Sequence, residues 1–369
     1  MRVVGAKTTD GNSFEHLLIT MTTDTAGDVT QTTVAASSSS RGMEFYFQCA
    51  VVVIGVVGTA TNALILYGLV ASKQHKKHVL IFHQNVLDFI SSLLLIITYA
   101  LKLCNFDLTS DGGYWLCQLL LSENLLWCVI VASKVNLAIV TIERYLKVVY
   151  STWSKNKLRK WKMYTAMAFA WISGFVSNFP VACVSSNVVD GVCYGYAIWQ
   201  SRLDQTAYGI WYFITSYLLI IVIIIFCYWR ILAAIRRQAR VMAGHSVAGS
   251  STTQSQSHQS HHTKTNVIKT MILVSAFYAI SDTPMNIYFL LMNISANMTL
   301  LDSGYYAVLF ISFLYFFTNP FIYAIKFDPV KRALLSLIPW VKTPVQPIAI
   351  VSMNASRAPT RKVQVQPRN

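Results

Sequence analysis

The sequence predicts an all-α membrane protein: a bundle of seven transmembrane helices followed by a short amphipathic helix 8. Three observations carry that prediction. The 369 residues are 54% hydrophobic and only 12% charged, whereas soluble domains carry roughly 25% charged residues. Seven largely apolar runs recur, at 45–71, 78–103, 115–148, 163–184, 207–232, 266–293 and 303–326. Each is long enough to cross about 30 Å of hydrocarbon as a helix. The loops between them alternate in charge. Lys73, Lys76 and Lys77, then Lys155, Lys157, Arg159, Lys160 and Lys162, then Arg236, Arg237, Arg240 and Lys264 lie in every second loop, and Lys331 and Arg332 follow the last run. The other loops hold Asp107, Asp111, Asp190, Asp204 and Asp302 against a single Arg202. Basic loops stay in the cytoplasm, so the N-terminus is expected outside and the C-terminus inside. The net charge of +15 therefore matches the anionic inner leaflet of the bilayer rather than a nucleic acid, and no nucleic-acid partner is expected.

Along the chain, residues 1–43 are polar and Ser/Thr-rich and read as a disordered exterior tail. The apolar stretch His16–Met21 is too short for a cleavable signal peptide. Residues 44–327 hold the seven runs. Cys117 heads the third, and Cys193 lies in the exterior loop after the fourth. Both face an oxidising compartment, so a bridge tying that loop over the bundle is expected; Cys104 and Cys183 are also near the exterior and leave other pairings open. The third run ends in Glu143-Arg144-Tyr145, and charges at membrane depth are costly and usually functional. The segment from 241 to 265 is rich in Ser, Thr, Gln and His, a flexible linker in which Ser250, Ser251, Thr252, Ser255 and Ser257 are candidate phosphorylation sites. Asn293-Ile294-Ser295 and Asn297-Met298-Thr299 are glycosylation sequons on the outside. After the seventh run, Asp328 caps and Pro329 opens the amphipathic helix 8 over 328–338, with Leu334, Leu335, Leu337 and Ile338 toward lipid. Residues 339–369 read as a disordered cytoplasmic tail. No metal-ligand spacing and no nucleophile–base pair is visible, so neither a metal site nor an enzyme is expected.

Five motifs fall in order on the runs. They are Asn62 after Gly58-Thr59-Ala60-Thr61, Asn85-Val86-Leu87-Asp88, Glu143-Arg144-Tyr145, the single Trp171, and Asn319-Pro320-Phe321-Ile322-Tyr323. Together they resemble the signature of the rhodopsin-like (class A) G-protein-coupled receptors, over nearly all of 45–338. The resemblance implies a multi-pass plasma-membrane receptor whose partners are an extracellular ligand, a heterotrimeric G protein, arrestin and a receptor kinase. It implies that Glu143, Arg144, Tyr145, Tyr228, Asn319, Pro320 and Tyr323 form the coupling and activation switch, with Tyr228 the partner of Tyr323 once the bundle opens. Asp88, Ser133 and Asn319 would converge on a water-filled pocket for an allosteric sodium ion, the alternative being a protonated, hydrogen-bonded Asp88. No other cofactor is expected. The rival class is a transporter or channel using Lys134, Asp88 and Asp282 as an ion path, but seven spans without a repeat fit alternating access poorly.

The departures from that pattern are as informative. Ser281-Asp282-Thr283-Pro284 replaces the sixth-helix Cys-Trp-x-Pro, Ile220 stands where the fifth-helix proline belongs, and Lys134 stands where helix three is usually apolar. Either Lys134 pairs with Asp282 across helices three and six, replacing the aromatic switch with an ionic one, or it bonds Asp88 and Asn136 beside a protonated Asp282. The 27 residues from Cys117 to Arg144 are slightly more than usual. Lys264 stands where many relatives place a Glu against the arginine, and raised basal activity follows. Leu126 replaces the acid that holds monoamines and Phe313 the lysine that holds retinal, so neither ligand is expected. Lys102, Glu123, Leu126, Trp211, Asn286 and Tyr305, among other aromatic and polar residues of the outer bundle, are the candidate pocket for a short peptide or small polar molecule.

Overall fold

The computed structural model describes residues 28–104, 108, 110–196, 199–245, 254–295, 303–326 and 328–335; within these, the side chains of 28–41, 239, 241–245, 254–267, 317–318, 323–326, 328–329 and 332 are not described. Eight numbered helices follow in order: α1 Asp28–Ala71, α2 Val79–Leu103, α3 Asp111–Val149, α4 Lys160–Ser185, α5 from Arg202 to His245, α6 Gln254–Ile294, α7 Ser303–Lys326 and α8 Asp328–Leu335. A short helix, Ser151–Lys157, sits in the loop between α3 and α4. Six of these are long and apolar enough to cross a membrane among the described residues. In α6 the polar side chains of Ser275, Ser281, Asp282, Thr283 and Asn286 dilute the apolar run.

Burial is inverted relative to a soluble protein. Asn62, Asn85, Asp88, Asn136 and Asn319 are fully buried, while Val53, Ile225, Trp229 and Ile280 are more than 60% exposed. Apolar side chains facing outward and polar ones facing inward are what hydrocarbon solvent demands. Helix α3 is the central post, touching α2, α4, α5 and α6. Its contact with α4 is close: a Cβ on Gly174 would lie 2.1 Å from the Cys128 carbonyl oxygen, so no larger residue fits there.

Two helices change pitch. In α3 a π-helical turn, Cys117–Leu121, is followed by Glu123 in the left-handed region at φ 62°. Together they take up the extra length between Cys117 and Arg144 and reset the phase of the helix below. In α5 a π turn at Ile214–Leu218 forms without the usual proline. Pro320 in α7 acts through what it lacks. It has no N–H for the Phe316 carbonyl one turn back, and that oxygen instead accepts from Asn62 Nδ2 at 2.9 Å, tying α1 to α7.

Between α4 and α5, Asn187–Val189 and Val192–Tyr194 form an antiparallel hairpin whose turn, Asp190-Gly191, has φ of 53° and 73°. Asp-Gly with both φ positive is the turn whose twist matches the flanking strands. The hairpin is held over the bundle by a Cys117–Cys193 disulfide and by Gln118 Nε2 donating to the Ser186 carbonyl at 2.6 Å.

One boundary and one helix face differ from the sequence expectation. Helix α1 begins at Asp28 rather than near 44, since extending a helix already held in a bundle costs less than nucleating one. In α8, Val330 is fully buried and Leu334 half-buried, both packed against Gly68 of α1. Leu334 therefore faces the bundle, not lipid. The expected regions 1–27 and 336–369, including Leu337 and Ile338, lie outside the described residues.

Candidate functional site

The site has three levels along α3. At the outer end, a cavity of about 160 Å³ lies beneath the hairpin loop. Glu123 is its most connected charge. Its Oε1 accepts from Tyr99 at 2.8 Å and from Lys102, and Oε2 accepts from Trp127 Nε1 at 3.2 Å. The left-handed turn at Glu123 puts Glu123, Asn124 and Trp127 on the cavity wall, and Tyr208 and Tyr212 reach it from α5. Lys102, Glu123, Asn286 and Tyr305 line the cavity as expected from sequence, while Leu126 and Trp211 do not. Leu126 is 1% exposed and packs in the core, because the reset phase of α3 turns its face inward. Trp211 is 44% exposed on the outer face of α5, off the stripe that carries Tyr208 and Tyr212.

Asn293 also departs from expectation. Its side chain is fully buried; Nδ2 donates to the Phe289 carbonyl at 2.7 Å and Oδ1 accepts from Tyr196 at 2.7 Å. A glycan cannot be attached to a side chain so enclosed in the folded chain. Asn297 lies outside the described residues.

At mid-bundle, Lys134 Nζ lies 2.8 Å from Asp282 Oδ2, with both side chains 4% exposed. The remaining valences of the carboxylate are satisfied: Asn286 Nδ2 donates to Oδ2 at 2.6 Å and Ser312 Oγ to Oδ1 at 3.2 Å. Asn286 thus touches both the cavity and the ion pair. Asn136 instead serves α2. It donates to Gln84 Oε1 at 2.8 Å, and its Oδ1 meets His83 Nδ1 at 2.9 Å. Trp171 Nε1 donates to His83 Nε2 at 3.0 Å, which assigns the ring proton to Nδ1.

One turn away, Asp88, Ser133 and Asn319 come together. Asp88 Oδ1 accepts from Ser133 Oγ at 2.9 Å and Gln84 Nε2 at 3.1 Å, and Oδ2 accepts from Asn319 Nδ2 at 3.0 Å. Asn319 Oδ1 is buried and has no hydrogen-bond partner among the described residues. Carboxylate, hydroxyl and unclaimed amide oxygen make a donor set that fits a hard monovalent cation.

At the inner end, Glu143 Oε2 lies 3.0 Å from Arg144 Nε, and its other oxygen accepts from Lys147. Arg144 also reaches His78 Nδ1 at 3.1 Å, at the start of α2. Burial, with the charges of Arg144, Lys147 and Lys77, pushes the His78 pKa down from 6.5 to about 3. The neutral ring is therefore an acceptor for the guanidinium. Sequence reasoning missed His78, Gln84, His83 and Ser312, none of which has a spacing that marks it. Tyr228 meets Ser275 Oγ at 3.0 Å and Thr141 Oγ1 at 3.4 Å. The side chains of Tyr323 and Lys264 lie outside the described residues.

Comparison with known proteins gives two findings. A family model described as 7 transmembrane receptor (rhodopsin family) matches residues 61–323. The crystal structure of squid rhodopsin superposes with a TM-score of 0.65 at 16% identity, covering 82% of this chain and 87% of that one. No curated protein sequence matches the chain.

Proposed function

Since this chain belongs to the rhodopsin family of seven-transmembrane receptors, we propose that it converts binding of an extracellular peptide or small polar molecule into activation of a heterotrimeric G protein at the plasma membrane. A continuous line of contacts supports this reading. Asn286 lines the outer cavity and bonds Asp282, Asp282 pairs with Lys134, and Lys134 sits on the helix that ends in Glu143-Arg144-Tyr145. A ligand that favours one arrangement of α3 and α6 shifts the population by its differential affinity for the two. When the inner ends part, Arg144 leaves Glu143 and His78 and becomes free to bind backbone carbonyls of an inserted peptide.

Within this reading the Lys134–Asp282 pair is the switch that replaces the missing aromatic one, and Asp88, Ser133 and Asn319 would hold a sodium ion that favours the resting arrangement. Arrestin and a receptor kinase act on the cytoplasmic Ser/Thr-rich segment. The test is a peptide and metabolite library applied to cells carrying promiscuous G proteins, with recruitment of a tagged G-protein α subunit as readout. Ligand-dependent recruitment supports the proposal; substrate-dependent current without recruitment favours a transporter or channel.

A further inference from the structure

The outer cavity carries more acid than base in its wall. Several of its donors are committed to the protein itself. Tyr99 and Trp127 donate to Glu123, Tyr208 donates to the Ser177 carbonyl at 3.1 Å, Tyr196 donates to Asn293, and Lys102 is paired with Glu123. The amide of Asn178 donates to the Gly174 carbonyl at 3.0 Å. The orientation of Asn286 is fixed by chemistry: a carboxylate paired with an ammonium only accepts, so the NH₂ must face Asp282 and the amide oxygen faces away. Asn286 is 4% exposed, lines the cavity, and its Oδ1 accepts no hydrogen bond among the described residues.

Among the described residues the acceptors that remain open in the wall are the amide oxygens of Asn286 and Asn178, one lone pair on Glu123 Oε2, and Glu44, which is bonded by Gln48 Nε2 at 3.0 Å; the hydroxyls of Tyr212, Tyr305 and Tyr306 can serve as donor or acceptor. The charges agree, since the lining holds two acids, Glu44 and Glu123, against one base, Lys102. Between them stand aromatic rings. Phe47 lies 4.8 Å from Tyr306 and 5.8 Å from Tyr99, and Tyr305 lies 5.9 Å from Tyr306. Ring faces attract cations, and the Lys102 ammonium already sits 4.7 Å above Tyr99.

We infer that this cavity recognises a cationic, donor-rich group, an ammonium or guanidinium, on its ligand, with Glu123 Oε2, Glu44 and the amide oxygen of Asn286 as its acceptors. The inference rests on the ligand-binding reading given above and narrows it. Leu126 removes the helix-three acid of aminergic receptors, and here a carboxylate enters one turn further out, on the left-handed residue. A small amine and the basic side chain of a peptide share this chemistry.

The test uses charge-matched pairs on the purified full-length receptor in nanodiscs, read as the shift in unfolding temperature at millimolar probe. Tryptamine is compared with 3-indolepropionate, and acetyl-phenylalanyl-arginine amide with acetyl-phenylalanyl-glutamate amide. The cationic member of at least one pair raises the unfolding temperature more than its anionic partner, and which pair responds tells amine from peptide. In Glu44→Gln and Asn286→Leu its apparent affinity falls about tenfold. Glu44 is half-buried at the cavity rim, so Glu44→Gln keeps the fold even where Asn286→Leu does not. Equal or larger shifts from the anionic members, no shift from any probe, or undiminished affinity in Glu44→Gln overturns the inference. Cationic binding without G-protein recruitment would leave the inference standing and count against the proposed G-protein coupling instead.

Discussion

Lys134 on α3 and Asp282 on α6 form a 2.8 Å ion pair in the middle of the bundle, sealed from solvent. A lone charge at that depth costs about 2.5–3.5 kcal/mol even on insertion scales. The two residues solve each other's burial, and Asn286 and Ser312 complete the carboxylate's hydrogen bonds. The pair joins the two helices whose separation, on our reading, is the signal.

Removing one partner leaves the other charged and unpaired. Lys134→Met and Asp282→Leu are each expected to destabilise the receptor by about 3–5 kcal/mol. Replacing both with apolar residues is expected to recover most of that loss, because the desolvation penalty disappears with the charges. Thermal unfolding of the purified single and double variants measures this. A double variant less stable than either single one would show that the pair does not hold the helices together.

His78 meets Arg144 from outside α3, at 3.1 Å. His78→Phe removes the acceptor and is expected to raise ligand-independent nucleotide exchange on a reconstituted G protein severalfold; exchange unchanged from wild type would show that Glu143 alone restrains the arginine.

The same residue makes a pH prediction. Its folded pKa, about 3, lies below the ordinary 6.5. The stability that keeping the ring neutral requires is thus fully present above 6.5 and is lost progressively as pH falls from there toward 3. The His78–Arg144 contact itself persists, since the folded ring stays neutral. Basal exchange should be flat between pH 8 and pH 5 while thermal stability declines below 6.5, and His78→Phe should lessen that decline. A step in the exchange rate near pH 6.5 that is lost in His78→Phe would mean that the ring titrates normally.

The burial of Asn293 predicts that it is not glycosylated. Asn293→Gln should leave the glycosidase-sensitive mass of the cell-surface receptor unchanged while lowering stability by about 1 kcal/mol, through loss of the Tyr196 hydrogen bond. A smaller mass in that variant would place the residue outside the fold when the sugar is added.

Much of this arrangement is written locally in the chain. Twenty-residue apolar runs define the helices because hydrocarbon admits little else. Asp88, Ser133 and Asn319, and Lys134 and Asp282, are polar residues on apolar helices, so burial obliges them to find one another. What was not legible depends on backbone geometry that composition does not encode. The π turn at Cys117–Leu121 and the left-handed Glu123 set the rotation of α3, and with it the burial of Leu126. Trp211 and Asn293 were misplaced for a related reason, since a sequence gives the depth of a residue along a helix more readily than the direction it faces. His78 lies in a short loop, where nothing in its spacing points to Arg144.

In the proposed function, the Lys134–Asp282 pair links the outer cavity to Arg144. The most direct measurement is the charge swap: Lys134→Asp, Asp282→Lys, and both together, each assayed for surface expression and for recruitment of a tagged G-protein α subunit. The Asn286 amide can rotate to offer its oxygen to a lysine at 282, so the reversed pair keeps its hydrogen bond. Each single change is expected to lose expression and recruitment, and the double change to restore both. A double variant no better than the singles would contradict that link.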